Sequence, residues 1–376
     1  MHELVVVGAG LAGCSLLARL HQCGYDANIA VVEAGRGPGG RSATRQRRDD
    51  LIWRLDHGCP GLNLTSPQPA GVDSILDPLL RSGDLREEWG LIVGLDVNGK
   101  RTTAPDHPCL RGRRLRGHPT MATVCQRLLE QASPTLEKHF GRRVRWLRWD
   151  NDHWLMSDET ESWTLQARCL VLSGNLLAHP RSLAMLAWPD VPLRSARAIG
   201  EDMQLDQVLN KLSETRATVR WNLMLDMPAP EAEIPRQIWL DEAAQQRWQI
   251  ERLVTHRQAD GRLGLVVHGL DDGSAITPDS QPHLIERYGQ AMESCLPELL
   301  AHDPVLRESI KQARSLGVMR WGAAQPLGNA LEEDLQWCPE SKIGFCGDWV
   351  NDAGFGRAEA ALRSGVALAE RLHADR

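Results

Sequence analysis

Two Tyr and three Phe are few for a chain of 376 residues, and several common sequence signals are missing as well. None of the nine cysteines is spaced as Cys-x-x-Cys, so neither a zinc site nor a redox-active cysteine pair is indicated. No apolar run approaches the roughly eighteen residues that a membrane helix needs. The net charge of −6 gives no footprint for nucleic acid. Because a predicted strand begins directly after Met1, we expect no signal peptide and a cytoplasmic protein.

What the chain does contain is concentrated in its first fifty residues. The apolar run Leu4–Val7 predicts a buried strand, a glycine-rich turn follows at once, and a helical pattern comes next. Glu33 ends a second apolar strand about 20 residues beyond Gly13, where a dinucleotide site needs an acceptor for a ribose hydroxyl. The order strand, glycines, helix, strand and acid therefore predicts a dinucleotide-binding unit. Its predicted ligand contacts are Gly8, Gly10, Leu11, Ala12, Gly13, Glu33 and Ala34.

A basic, glycine-rich loop follows Glu33 directly, from Gly35 to Arg45. A flexible run that carries Arg36 and Arg41 suits a second approach to a diphosphate, because guanidinium groups pair well with anionic oxygens. A solvated basic loop without a ligand is the alternative interpretation of the same charges.

The glutamate and the following Gly39-Gly40-Arg41 segment resemble the flavin-containing amine oxidase superfamily, and the chain is most similar to its renalase-like branch. The C-terminal region matches the same pattern through Gly347-Asp348-Trp349, Gly356-Arg357 and Glu359. The resemblance implies non-covalent FAD, since no cysteine lies in a setting typical of a covalent flavin. It also implies further FAD contacts, which are Arg36, Gly40, Arg41, His57, Gly58, Val144, Gly347, Asp348, Gly356, Arg357 and Glu359.

Two segments depart from the family pattern at positions that face its substrate pocket. Cys59-Pro60-Gly61-Leu62 replaces the family's Ala-Gln-Tyr-Phe after His57-Gly58, and Met319 replaces a histidine before Arg320-Trp321. His57 can be structural or catalytic, and the same choice is open for His268 and Arg320. By resemblance, His268, Arg320 and Trp321 are the predicted catalytic residues.

The fold predicted from these segments is α/β, with a glutathione-reductase-like Rossmann FAD-binding domain and a discontinuous second α+β domain of mixed sheet and helices. The FAD-binding domain is expected to comprise residues 1–62, 117–192 and 328–376, and the substrate domain 63–116 and 193–327. Alternating patterns predict a three-stranded meander between 144 and 165, followed by a separate buried strand at 169–174. Helices are predicted at 284–300, 304–315 and 358–372, among others.

Beyond residue 45 the chain has no further Gly-x-Gly-x-x-Gly, so a second Rossmann domain that binds NAD(P)H is not expected. Any nicotinamide compound is therefore expected to enter as a substrate through the second domain. The resemblance implies a flavin-dependent oxidase that takes a hydride from a dihydronicotinamide, such as an isomer of NAD(P)H, and passes electrons to O2. Such chemistry requires positioning more than acid–base groups. Two alternatives remain open: an amine oxidase or other small-molecule dehydrogenase, and an FAD-binding protein without turnover.

Overall fold

A computed structural model describes residues 1–47, 49–50, 52–65, 67–350 and 353–375 of the chain. The strands are β1 (His2–Val7), β2 (Ile29–Glu33), β3 (Thr44–Gln46), β4 (Arg54–Asp56), β5 (Leu62–Leu64), β6 (Leu85–Glu87), β7 (Ile92–Leu95), β8 (Arg101–Thr102), β9 (Arg113–Gly117), β10 (Glu137–Phe140), β11 (Trp146–Asp150), β12 (His153–Ser157), β13 (Thr164–Leu172), β14 (Arg216–Pro228), β15 (Gln237–Leu240), β16 (Ile250–Arg257), β17 (Arg262–Leu270), β18 (Arg314–Leu327), β19 (Trp337–Cys338) and β20 (Ile343–Phe345).

The helices are α1 (Leu11–Gln22), α2 (Ala70–Ser82), α3 (Met121–Glu130), α4 (Arg181–Leu186), α5 (Pro192–Ala196), α6 (Met203–Glu214), α7 (Glu242–Trp248), α8 (Gln281–Leu299), α9 (Pro304–Ile310) and α10 (Ala358–Ala374). Within the described ranges, none of these helices has the length and apolar character needed to cross a membrane.

The first sheet has the order β10-β2-β1-β13-β12-β11, with β20 parallel to β13 and β19 antiparallel to β20. It is covered on both faces. Leu4 and Val6 of β1 pack with α1 and α10, whereas Val5 packs with residues of α6 on the other face. A strand buried on both faces is expected to be apolar throughout, which is why β1 reads as an unbroken apolar run.

The predicted meander is present, but its third strand is not separate from the buried strand that follows it. β13 runs without interruption from Thr164 to Leu172, antiparallel to β12 in its first half and parallel to β1 along most of its length. The polar residues of its first half are solvent-facing positions of the same strand, and they made it look like two strands in the sequence.

The second sheet has the order β18-β14-β17-β16-β15-β7-β8, antiparallel except for the β15–β7 pair. α8 covers one face, where Trp221 and Tyr288 stack with ring centroids 4.3 Å apart. The sequence interpretation missed β18 and extended a helix to residue 315, whereas α9 ends at Ile310. β18 is rich in Gly, Ala and polar residues and none of its positions is fully buried, so it lacks the apolar alternation that identifies a strand.

The predicted α/β class is confirmed, with parallel strands in one sheet and a mainly antiparallel second sheet. The strands of the first sheet come from residues 2–33, 137–172 and 337–345, and those of the second from 92–102 and 216–327. The domain boundaries themselves stay a prediction.

Helix α1 lies between β1 and α10, and glycines allow the close approach on both sides. A Cβ on Gly13 would lie 2.2 Å from the carbonyl oxygen of Gly8. A Cβ on Gly365 would lie 2.2 Å from Oγ of Ser15 and 2.4 Å from the carbonyl oxygen of Ala12. Real atoms do not approach this closely, so the backbones would have to separate.

We therefore expect Gly365→Ala to lower the free energy of unfolding by about 1–3 kcal/mol, although alanine is the better helix former. Chemical denaturation followed by circular dichroism would measure it. Gly289→Ala in α8 is the matched control, because the nearest atom to its new Cβ is a side-chain methyl of Val318 at 3.2 Å. A similar loss in both variants would contradict the account of the α1–α10 contact.

Candidate cofactor and substrate site

A cavity of about 590 Å³ lies where the two sheets meet. One end is lined by the glycine-rich turn after β1 and by Glu33 at the end of β2, and the other by side chains of the second sheet. The segments 58–63, 347–349 and 356–358 also line it. The carboxyl ends of parallel strands are where doubly wound folds bind their ligands, so this position is the expected one.

The glycine-rich end has open space where side chains would otherwise lie. The nearest atom to a Cβ built on Gly10 is the Cα of Gly40, 3.9 Å away, and no atom of the described residues lies within 4 Å of a Cβ built on Gly174. Protein packing therefore does not explain the absence of side chains at these two cavity-lining positions. Gly10 also gives no side-chain cap to α1, so the positive end of that helix faces the cavity with free N–H groups.

The carboxylate of Glu33 is oriented by backbone amides. It accepts hydrogen bonds from the N–H of Ala9 at 2.8 Å and of Gly35 at 2.6 Å. These bonds tie the end of β2 to the turn after β1 and leave acceptor capacity on both oxygens. Glu33 lines the cavity, in the position that the sequence spacing predicts for a ribose acceptor.

An ion pair links the basic loop to the C-terminal segment. Arg41 donates two parallel hydrogen bonds to the Asp348 carboxylate, one of them at 2.6 Å, and a third to the carbonyl oxygen of Ala324 at 3.1 Å. Burial alone would lower the pKa of Arg41, but the Asp348 carboxylate outweighs it and raises that pKa. The two residues were predicted to contact different parts of a cofactor, and here they also contact each other.

His57 is positioned by Trp321 and stays uncharged at neutral pH. The two rings stack with centroids 5.3 Å apart, and the carbonyl oxygen of His57 accepts hydrogen bonds from Trp321 and Asn222. Burial and then the charge of Arg45 lower the pKa of His57 to about 4. Gly58 and Trp321 line the cavity, whereas the ring of His57 lies behind them.

Three neighbouring strands of the second sheet present a polar row to the cavity. Asn222 on β14 lies opposite His268 on β17, which in turn lies opposite Arg252 on β16. Oδ1 of Asn222 and Nε2 of His268 are buried and have no hydrogen-bond partner among the described residues. Burial, followed by the charge of Arg252, holds the pKa of His268 well below its usual value, so its ring is neutral.

A β-bulge adds a second charged residue next to this row. The register of β16 shifts between Ile250 and Arg252, and both Glu251 and Arg252 line the cavity as a result. Glu251 accepts a hydrogen bond from Arg220 at 2.6 Å. Burial alone would raise the pKa of Glu251, but Arg252 and Arg220 lower it to about 2, so the carboxylate is ionised.

The structure brings most of the predicted site residues to the cavity. Those lining it are Gly8, Gly10, Leu11, Ala12, Glu33, Ala34, Gly40, Arg41, Gly58, Val144, His268, Trp321, Gly347, Asp348, Gly356 and Arg357.

Five predicted residues do not line the cavity: Gly13, Arg36, His57, Arg320 and Glu359. Gly13 packs against the turn after β1, and Arg36 points to solvent. Arg320 lies over the ring of Trp221, on the opposite face of the sheet from its neighbour Trp321, because side chains alternate along a strand. Glu359 is fully buried and accepts hydrogen bonds from Thr65 and Gln68.

Sequence analysis missed Asn222, Arg252 and the Arg220–Glu251 pair. A signal was available for Asn222, which is an isolated amide among the apolar residues Trp221, Leu223 and Met224 of β14. No such signal marks Arg252, since its orientation depends on the bulge.

Comparisons with known proteins agree with this geometry. A family model described as an NAD(P)-binding Rossmann-like domain matches residues 6–77, which confirms the predicted Rossmann unit. No curated protein sequence matches the chain.

Solved structures share the fold over nearly their whole length. A cofactor-binding redesign of putrescine oxidase has a TM-score of 0.63 at 13% identity, covering 100% of this chain and 99% of that chain. Cyclohexylamine oxidase from Brevibacterium oxydans has 0.60 at 13%, with coverage of 100% and 99%. A fatty acid isomerase from P. acnes has 0.61 at 11%, with coverage of 98% and 98%. At these identities the likeness establishes the fold, and enzymes of different reaction types share it.

The loop that carries His57 depends on a buried carboxylate, Asp56, which accepts hydrogen bonds from the N–H of Met121 at 3.1 Å. Burial raises the pKa of Asp56 from 3.8 to about 6. Between pH 3.8 and about pH 6 Asp56 is therefore protonated more in the folded state than in the unfolded state. The contribution of Asp56 to the free energy of unfolding falls as the pH rises through this range.

From about pH 4 to about pH 7 we expect the free energy of unfolding of the native protein, measured relative to that of Asp56→Asn at the same pH, to fall by about 3 kcal/mol. Urea denaturation across this range would measure it. Asp272→Asn is the control: the Asp272 pKa is about 2, so it is already ionised throughout the range. Parallel pH profiles for the native protein and Asp56→Asn would refute the assignment.

Proposed function

We propose that this protein is an FAD-dependent oxidoreductase that oxidises a dihydronicotinamide compound, with O2 as the electron acceptor. The observation that carries the proposal is one continuous cavity, which joins a Rossmann glycine turn to the polar row of Asn222, His268 and Arg252. A dinucleotide cofactor at the first end would direct its reactive part toward the second.

The residues present fit FAD. Gly10 and Gly174 leave a cradle that side chains would fill, and the free N–H groups at the start of α1 suit a diphosphate. Glu33 has acceptor capacity for an adenosine ribose, and Asp348 for a ribityl hydroxyl. Arg357, at the start of α10, lines the cavity together with the positive end of that helix. When bound, the flavin would supply a two-electron acceptor that O2 can reoxidise.

The chain's own residues position the donor. Oδ1 of Asn222 accepts from a carboxamide N–H, and the neutral His268 donates from Nε2 to the carboxamide oxygen in one tautomer. Trp321, held by His57, forms a flat apolar wall. Overall, a dihydropyridine loses a hydride and becomes a pyridinium, and that hydride, one proton and O2 yield hydrogen peroxide. Hydride loss restores an aromatic ring, so no side chain has to act as an acid or base.

Amine oxidation is the second candidate, because two of the structural relatives are amine oxidases by name. The charge of the cavity opposes it. Arg114 and Arg252 line the cavity in excess of the Arg220–Glu251 pair, and they repel the ammonium form in which aliphatic amines occur. Amine oxidation commonly uses a pair of aromatic side chains at the flavin face, and neither tyrosine supplies one, because Tyr25 and Tyr288 are buried in separate apolar clusters. The aromatic side chains that line the cavity are those of Trp321 and Trp349.

Anaerobic mixing of the FAD-loaded protein with reduced nicotinamide isomers or with amines tests the proposal. Loss of the oxidised flavin absorbance with a dihydronicotinamide, and peroxide formation when O2 is admitted, is the expected result. Bleaching by amines alone would favour amine oxidation. Bleaching by neither class would leave an FAD-binding protein without turnover, and purified protein that stays colourless after incubation with FAD would overturn the proposal as a whole.

Gly10→Ala should weaken FAD binding by at least about tenfold, since the new methyl group enters the space assigned to the diphosphate. The stability of the apoprotein should change by no more than about 1 kcal/mol, because the methyl group meets no protein atom nearer than 3.9 Å. Flavin fluorescence titration and thermal unfolding measure the two effects. An unchanged FAD affinity would refute the assigned diphosphate position.

His268→Gln should lower kcat/KM for a dihydronicotinamide by about tenfold to a hundredfold, the range expected for one lost hydrogen bond to substrate. The FAD content should not change. His256→Gln is the matched control: His256 is also buried with an unpartnered Nε2, but it does not line the cavity. Equal effects of both substitutions would assign His268 to packing only.

A further inference from the structure

We propose that the substrate end of the cavity contains a subsite for an anionic group, a phosphate or a carboxylate, held by Arg252 and Arg114. The inference rests on the proposed function only where it assigns the anionic group to the dihydronicotinamide compound. The subsite itself is defined by the charges of the protein.

The carboxylates at this end of the cavity already have cationic partners. Glu251 accepts from Arg220 at 2.6 Å, and Glu88 accepts from Arg236 at 3.1 Å. Each pair is close to neutral as a unit. Arg252 and Arg114 also line the cavity. Arg252 shares the carboxylate of Glu251 with Arg220, at 3.8 Å, and among the described residues neither Arg252 nor Arg114 has a carboxylate partner of its own. The nearby histidine, His268, is neutral and adds no charge of either sign. The substrate end therefore carries an excess of positive charge.

Arg252 is held in place without its hydrogen-bonding capacity being used. Its guanidinium lies 4.6 Å from the ring centroid of Trp239, which fixes the plane of the group. Its Nε is buried and has no hydrogen-bond partner among the described residues, and its nearest carboxylate oxygen, on Glu251, is 3.8 Å away. The side chain is about 14% exposed. An oriented guanidinium with free donors, facing a cavity, is suited to bind a planar or tetrahedral anion.

Arg114 reaches the same cavity from a different sheet. It lies on β9, in the three-stranded sheet β5-β9-β6, and its backbone carbonyl accepts from the N–H of Glu88. No side-chain hydrogen bond or ion pair of Arg114 occurs within the described ranges. Two cationic groups supplied by separate sheets can bind an anion from two directions, which a single exposed arginine cannot do.

The test uses three aromatic probes that differ in charge: phenyl phosphate, benzoate and the neutral benzamide. Their binding to the purified holoprotein is measured by isothermal titration calorimetry, which reports binding whether or not turnover occurs. We expect saturable binding of an anionic probe at least about tenfold tighter than that of benzamide. Tighter binding of phenyl phosphate would identify a phosphate subsite, and tighter binding of benzoate a carboxylate subsite.

Arg252→Gln and Arg114→Gln should each weaken binding of the preferred anion by about tenfold, with little change for benzamide. Arg216→Gln is the matched control, since Arg216 lies on the same sheet as Arg252 but its side chain is exposed and does not line the cavity. Arg252→Lys, which keeps the charge, should recover part of the affinity. This recovery would show that the loss in Arg252→Gln comes from the missing charge and not from misfolding. Equal affinity for all three probes, or equal weakening by Arg216→Gln, would overturn the subsite.

The same probes separate this inference from the proposed function. Anion binding by a protein that no dihydronicotinamide reduces would keep the subsite and reject the proposed donor. Rapid oxidation of an uncharged dihydronicotinamide, with no anion preference in binding, would keep the function and reject the subsite.

Discussion

The pairing of Arg41 with Asp348 joins parts of the chain that are 307 residues apart, and the cavity depends on it. Arg41 belongs to the basic loop after β2, and Asp348 follows β20. The bidentate geometry fixes both segments, and the bond from Arg41 to Ala324 adds the long strand β18 to the same junction. The pair thus connects the first sheet, the second sheet and the C-terminal segment at one point. A carboxylate that is only 5% exposed needs such a partner, because leaving it buried and unpaired would be strongly destabilising.

The wall of the cavity around this junction consists of two different surfaces. Toward β1 and α1 it is formed by backbone, with glycines and helix N–H groups that suit a ligand held through its phosphates. Toward the second sheet it is formed by side chains whose polar atoms are oriented but only partly satisfied. His57 and His268 are both kept neutral by burial, so the arginines dominate the charge at that end. The first surface suits a ligand that carries phosphates, and the second presents polar and positively charged side chains to the cavity.

The first and last parts of the site could be predicted from the sequence, because their chemistry is local. The turn after β1 needs glycines at fixed spacing, Glu33 ends β2, and Asp348 follows β20. Asn222, Arg252 and Arg114 could not be predicted in the same way. Asn222 and Arg252 come together beside His268 only through pairing of strands that are distant in the sequence, and Arg114 is paired with Asn63 in a different sheet. The orientation of each side chain depends on register. Arg320 shows the same limit, since a shift of one position along β18 decides whether a side chain faces the cavity or α8.

The bulge at Glu251 allows the charge of the cavity wall formed by β14, β17 and β16 to change during evolution without a change in strand pairing. Ile250 and Arg252 keep regular pairing with Gly269 and His268, and Glu251 is the extra residue between them. Losing that one codon would remove the negative charge and leave the flanking ladder in register. An insertion or deletion at this point can therefore reset the polarity of the wall in a single genetic step, without rebuilding the strand that carries it.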